Sequence, residues 1–473
     1  MKRTLSTLLL LILLSTATFA AKSNYKITVQ IDGCKDSVML LGNYYAQNRY
    51  IIDTAYNNGR GKFVFESSRQ IYPGLYFFTN NNDRLTEFVI YNEKPFFTLH
   101  TDNSAWTMNM RVKGSQQNEI FFSYQKQSET IYQQIEKMRP TLDSAAFATY
   151  QRQQHLRIDS LKRTFIEKYP TSMFARMINA TNNIDEIVPT KHADGSDMTQ
   201  HERYMWYMQH YFDYIPVDDD FIIRTPKPVF YQRVVDYTDK YMRGMPPEQI
   251  CPLLDSVLDR AEPANQVFRW MLHHFTEKYL QSNIMVYDEV YVHLVQRYFA
   301  TGRAPWYPPS SIDEQVERAN KWERLLVGRE APELVLFDTL RHPRSLHRLG
   351  GKYTLLLFWS PTCGHCREII PATYRVFNEM ADSLDMTAYA ILSEPDEQTV
   401  VKWKRFLKEH NMDNPRWVNL NGGEANIDWR EVYDITTTPQ IYLIENEKHT
   451  FIAKKMNADL LRQICTQLKK QIK

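Results

Sequence analysis

The chain has 473 residues, with 57 Lys and Arg against 55 Asp and Glu, and 43% of its side chains are hydrophobic. A net charge of +2 without basic blocks argues against nucleic acid as a partner, and this length and apolar share suit roughly two to four packed domains. Five cysteines are too few for a disulfide scaffold at this size.

Residues 1–20 read as a secretory signal peptide: Lys2 and Arg3, the apolar run Leu5–Leu14, then the small-residue end Thr18-Phe19-Ala20. No cysteine follows that run, so no lipid anchor is read there. Later apolar runs are too short to cross a bilayer, so no transmembrane segment is expected in the mature chain. The expected location is exported, in the periplasm or cell envelope of a Gram-negative bacterium.

Residues 21–118 read as an all-β, sandwich-like module. Alternating or apolar runs at Tyr25–Ile31, Ser37–Tyr44, Lys62–Glu66, Gly74–Thr79, Glu87–Tyr91 and Phe96–His100 are separated by Asp-Gly, Asn-Gly and Pro-Gly turn signals. Residues 119–300 read as an α-helical domain. Its helices are expected at Glu119–Met138, Phe147–Tyr169, Glu202–Tyr214, Pro228–Arg243, Cys251–Arg260, Asn265–Tyr279 and Met285–Phe299. The aromatic stripe Tyr204–Tyr214 could bind peptide, but helical spacing favours core. His273, His274 and Glu277 on one helix likewise read as solvated or core groups. Residues 301–326 comprise a Pro-rich linker, Gly302–Pro309, and a helix near Glu314–Leu326.

From Ala331 strands and helices alternate, which implies an α/β domain over 327–473. Tyr353–Phe358 is a short apolar run of the kind that forms a buried parallel strand. Helical spacing resumes from Cys366, so Cys363 falls at the first turn of a helix. Unpaired backbone N–H groups and the helix dipole there favour a thiolate, the species that attacks disulfides. Cys366 stands where it can resolve the mixed disulfide. Cys465, spaced with Leu461 and Leu468, reads as a buried small hydrophobe, and a Cys34–Cys251 bridge stays open.

These residues resemble the thioredoxin superfamily, most closely its TlpA/ResA-like exported branch. The resemblance rests on Gly328-Arg-Glu-Ala-Pro332, Gly351-Lys352, the Phe358-Trp-Ser-Pro-Thr-Cys-Gly-His-Cys366 run, Pro371 in the following helix, and Tyr433-Asp-Ile-Thr-Thr-Thr-Pro439. It implies a redox-active Cys363–Cys366 disulfide, with Cys363 as nucleophile and Cys366 as resolving thiol. It further implies that Pro439 is cis after Thr438 and faces the pair, and that Trp359 shields one side. No cofactor or metal is expected, since the domain lacks a second Cys or His pair for zinc. The implied partners are protein thiols and disulfides, with a membrane electron donor or acceptor.

His365, inside the loop, can stabilise the thiolate by charge or hydrogen bonding, which argues for an oxidising or isomerising couple. The exported relatives argue for a reductase, and both directions stand at this point. Two positions depart from the pattern: the buried acid six residues before Cys363 is Leu357, and the glutamate three residues after Cys366 is Ile369. Two alternatives are carried. Ser360, three residues before Cys363, admits a thiol peroxidase. The β and helical regions admit an envelope binding protein whose last domain is not catalytic.

Overall fold

The computed structural model describes residues 23–80 and 84–472, so the signal-peptide reading lies outside the described residues. Among the described residues two compact units emerge, one up to Tyr241 with Arg260–Val267, the other Met242–Asp259 with the chain from Phe268. The division passes through the helical stretch.

In the first unit, eight strands form two four-stranded sheets, ordered β4-β1-β7-β8 and β3-β2-β5-β6. The strands are β1 (Tyr25–Asp32), β2 (Val38–Tyr45), β3 (Asn48–Tyr56), β4 (Lys62–Ser67), β5 (Gly74–Thr79), β6 (Leu85–Ile90), β7 (Phe96–Asp102) and β8 (Arg111–Lys113). Phe88 on β6 and Phe97 on β7 meet edge-to-face at 5.8 Å, which brings the two sheets face to face. The edge of β6 is covered: the Asn118 amide, fully buried on α1 (Gln116–Met138), accepts from Val89 N–H and donates to Val89 C=O, both at 2.8 Å.

Strand β3 and the short β8 were not legible in the sequence. The turn before β3 carries Ala46 at φ 50°, where Gly or Asn would have signalled a turn, and only Ala55 of the strand is buried. Helices α2 (Ser144–Lys168), α3 (Met173–Asn179), α4 (Gln200–His210) and α5 (Tyr231–Asp236) complete this unit, α3 without a sequence expectation. The helix expected over Pro228–Arg243 is shortened to α5 and then widens into a π-turn, Tyr237–Tyr241. The aromatic stripe is largely core: Tyr207, Tyr211 and Phe212 are buried, and Tyr211 stacks on Tyr237 at 5.0 Å.

Within the second unit, the helix expected over Met285–Phe299 is likewise broken, into a 3₁₀ turn, a short α-helix (Asp288–Leu294) and a π-turn. The Pro-rich segment Gly302–Pro309 is packed rather than extended. Ala304 is fully buried, Trp306 lies edge-on to Phe268, and Tyr307 O–H meets His273 Nδ1 at 3.0 Å.

The same unit carries a seven-stranded sheet, β10-β9-β13-β12-β11-β14-β15. Its strands are β9 (Val335–Asp338), β10 (Pro343–Ser345), β11 (Tyr353–Trp359), β12 (Met386–Leu392), β13 (Trp417–Ala425), β14 (Gln440–Glu445) and β15 (Thr450–Ala453). Strands β11, β12 and β13 run parallel, and β14 pairs antiparallel with β11. All seven residues of β11 are buried, as a central strand covered on both faces requires. Alternate residues feed two cores. Leu355, Leu357 and Trp359 join Ile370, Phe377 and Cys465 on one face, while Leu356 and Phe358 join Tyr389, Tyr433 and Tyr442 on the other. Among the described residues no helix is long and apolar enough to cross a membrane.

Candidate functional site

Strand β11 ends at Trp359, and a three-residue turn leads to Cys363, the N-cap of the helix Gly364–Leu384. The site thus sits at the carboxyl end of a central parallel strand, where open α/β sheets place their ligands. Cys363 is half-buried and Cys366, one turn on, is fully buried; both are free thiols in this structure. Their environments push them apart. Burial raises the Cys363 thiol, but the first-turn N–H groups of Cys366 and His365, with the Cys366 and Thr438 side chains, outweigh it and leave Cys363 below the ordinary thiol value. The dipole of the helix acts in the same direction. Burial pushes Cys366 up to about 12, against the opposing Ser360 backbone N–H.

Across from the pair, the Thr438–Pro439 bond is cis, and the Cys363 thiol donates to the Thr438 carbonyl at 3.3 Å. A carboxylate that the sequence reading missed lies on the other side of the turn. The Ser360 and Thr362 hydroxyls both donate to Oε2 of Glu394, at 2.6 and 2.5 Å. Glu394 sits just past β12, whose Leu392 is opposite Trp359 on β11, so the register of two parallel strands carries it to the turn. That register was the available signal, and sequence periodicity alone cannot set it.

Two family models of unknown function match outside this domain: DUF4369 over residues 25–121 and DUF5106 over residues 196–321. Among curated proteins, the thioredoxin-like protein YneN of Bacillus subtilis is 26% identical over 120 residues, 25% of this chain and 66% of that protein. Thiol-disulfide oxidoreductase ResA of Bacillus cereus is 25% identical over 128 residues, 27% of this chain and 69% of its own. These matches liken the C-terminal α/β domain to the TlpA/ResA-like branch of the thioredoxin superfamily. The chain spans only about two thirds of these relatives' length. Among solved structures, a thioredoxin-like protein from Bacteroides caccae aligns with 59% of this chain and 97% of its own, at 20% identity and a TM-score of 0.48.

In this thioredoxin-like domain the remaining singled-out residues fall as follows. Trp359 is wholly in the core, its ring 5.1 Å from Phe406, so the side of the pair it can shield is the core side. A large aromatic at the end of an all-buried strand has no route to the surface. The His365 imidazole is exposed, and the part of His365 that acts on Cys363 is its backbone N–H. Leu357 is buried in the core and Glu368 is exposed, so neither sequence neighbourhood supplies an inward carboxylate. Cys465 is buried, and Cys34 and Cys251 are free thiols.

Proposed function

We propose that the protein is an exported thiol–disulfide oxidoreductase acting on protein substrates in the cell envelope by dithiol exchange at Cys363 and Cys366. The observation that carries this reading is the split between the two thiols: one lowered at a helix tip, the other buried and raised. In the reductase direction, the Cys363 thiolate attacks one sulfur of a substrate disulfide, and the other leaves as a thiolate that takes a proton. Cys366 then loses its proton and attacks the Cys363 sulfur, releasing the second substrate thiol and forming the Cys363–Cys366 disulfide. Two electrons pass from the pair to the substrate. A second dithiol donor, at the membrane in this reading, restores the pair. Thr438 and Pro439 face the incoming substrate, Trp359 supports the pair from the core, and no cofactor takes part.

The exposed His365 imidazole removes its charge argument for an oxidising couple, and the reductase direction rests on the TlpA/ResA-like resemblance. Ser360 weighs against a peroxidase: it is buried, and its hydroxyl hydrogen is committed to Glu394. The β module and the helices serve substrate docking in this reading, and the leader over residues 1–20 serves export. Purified protein assayed for insulin disulfide reduction and for peroxide consumption tests the class. Reduction of insulin that Cys363→Ser abolishes supports it, and peroxide consumption without insulin reduction overturns it. A potential near thioredoxin's, about −270 mV, supports the reductase direction, and one near about −180 mV overturns it.

A further inference from the structure

The turn between β11 and Cys363 is held by a single carboxylate oxygen. Ser360 Oγ and Thr362 Oγ1 each have one hydrogen, and both are given to Glu394 Oε2. The two hydroxyl oxygens are thereby drawn to 2.7 Å of each other, and Thr362 N–H donates to Ser360 Oγ at 3.2 Å. The backbone of the same turn reaches both cysteines. Cys363 N–H donates to Ser360 C=O at 3.3 Å, and Ser360 N–H acts on the Cys366 sulfur. Glu394 is itself anchored, because the preceding Ser393 N–H donates to Trp359 C=O at 2.8 Å and the Ser393 carbonyl accepts from Arg430. A charge-assisted bond to a carboxylate is about twice as strong as a neutral one, and here two converge on one atom.

We infer that Glu394 is the positioning residue of the dithiol site: its ionised carboxylate clamps Ser360 and Thr362, and so fixes Cys363 against the first-turn N–H groups that favour its thiolate. The inference rests on the dithiol reading above. Glu394 touches neither sulfur, so it takes no proton from Cys366; it acts through the turn. Its carboxyl lies below the usual carboxylate range, held there by the Ser360 and Thr362 hydroxyls, so the clamp is closed at neutral pH.

The test compares Glu394→Ala and Glu394→Gln in the full chain. The readouts are the pH profile of Cys363 alkylation by iodoacetamide and the kcat/KM for insulin reduction. The alanine variant is expected to raise the Cys363 pKa, moving the alkylation profile to higher pH and slowing alkylation at neutral pH. The glutamine variant keeps an acceptor oxygen for the hydroxyls but not the charge, and is expected to fall between the parent and the alanine variant. An alanine profile that overlays the parent overturns the inference while leaving the dithiol reading intact. Equal losses in both variants also overturn it, since they assign the effect to charge alone. A parent protein that fails to reduce insulin instead overturns the dithiol reading itself. Should Glu394→Ala not fold, Thr362→Ala removes one of the two donors at an exposed position, and the same shift in smaller measure is expected, with Thr362→Ser restoring the parent profile.

Discussion

The sulfur of Cys363 lies 3.3 Å from the carbonyl oxygen of Thr438, 75 positions further along the chain. Only the thiol form can donate that bond. Ionisation of Cys363 therefore withdraws the donor and leaves the Thr438 carbonyl able to accept an N–H from an extended substrate segment, in the manner of an added β-strand. On the proposed reading, nucleophile and docking edge become available in the same deprotonation step.

The first expectation concerns pH. Because Cys363 lies below and Cys366 far above the ordinary thiol value, alkylation of the reduced protein should proceed in two stages as pH rises. Cys363 reacts first, its rate levelling off below the pH at which a free cysteine levels off, while Cys366 stays unmodified until strongly alkaline conditions. Mass spectrometry of each cysteine peptide after timed iodoacetamide exposure reads this directly. Equal rates for the two cysteines at pH 7 would contradict the structure.

Cys366→Ser should arrest the reaction at its first half. With Cys363 intact and no resolving thiol, a mixed disulfide with the substrate accumulates. A reducible band joining this chain to a disulfide-bearing substrate should appear on non-reducing gels. Cys363→Ser should show no such band, because the buried thiol is protonated and out of reach.

The His365 imidazole is exposed while its N–H acts on Cys363, so the side chain and the backbone can be separated. His365→Ala should leave the Cys363 alkylation profile within about threefold of the parent. His365→Pro deletes the N–H at the second helical position, in the first turn where proline is tolerated, and should raise the Cys363 pKa. The reverse order of effects would restore a role for the imidazole.

How far the sequence disclosed the molecule can be traced to where the information lay. The strand Tyr353–Phe358 and the helix start at Cys363 were legible because an apolar run and a cap position are local properties. Glu394 was not, because it reaches Ser360 through strand pairing, and pairing register is a long-range outcome. The expectation that Trp359 shields one side left that side unnamed, and the alternation along β11 places it in the core. The π-turns at Tyr237–Tyr241 and Val295–Phe299 carry no proline or glycine to announce them.

Trp359 offers a stability test with a built-in control. Its indole N–H is buried without a hydrogen-bond partner, so removing that group strips no bond from the core. Trp359→Phe should cost only the residual cavity, about 1–2 kcal/mol, whereas Trp359→Ala should cost about 3–5 kcal/mol. Urea midpoints with far-UV detection give both values. Insulin reduction by the phenylalanine variant, measured well below its midpoint, should match the parent; a selective loss of kcat would place the indole in the reaction.

A buried ion cluster ties the helical segment of the second unit to its sheet domain. Asp288, at the start of the short helix Asp288–Leu294, pairs at 2.6 Å with both Lys454 and Lys455, which follow β15. Lys454 is almost fully buried; desolvation lowers its pKa against the pull of Asp288, and its Nζ also donates to the Leu325 carbonyl at 3.0 Å. Removing one partner of such a pair leaves an uncompensated charge away from water, so Asp288→Ala should destabilise by about 3–5 kcal/mol. Lys455 is over a quarter exposed and can turn to solvent, so the loss falls on Lys454. Lys454→Met in the Asp288→Ala background takes away the stranded cation and should recover most of that stability, because an apolar replacement of a buried pair is often neutral. Urea unfolding of the two variants side by side decides the matter. If the double substitution is no more stable than Asp288→Ala, the cost lies in lost packing of the helix and not in the buried charge.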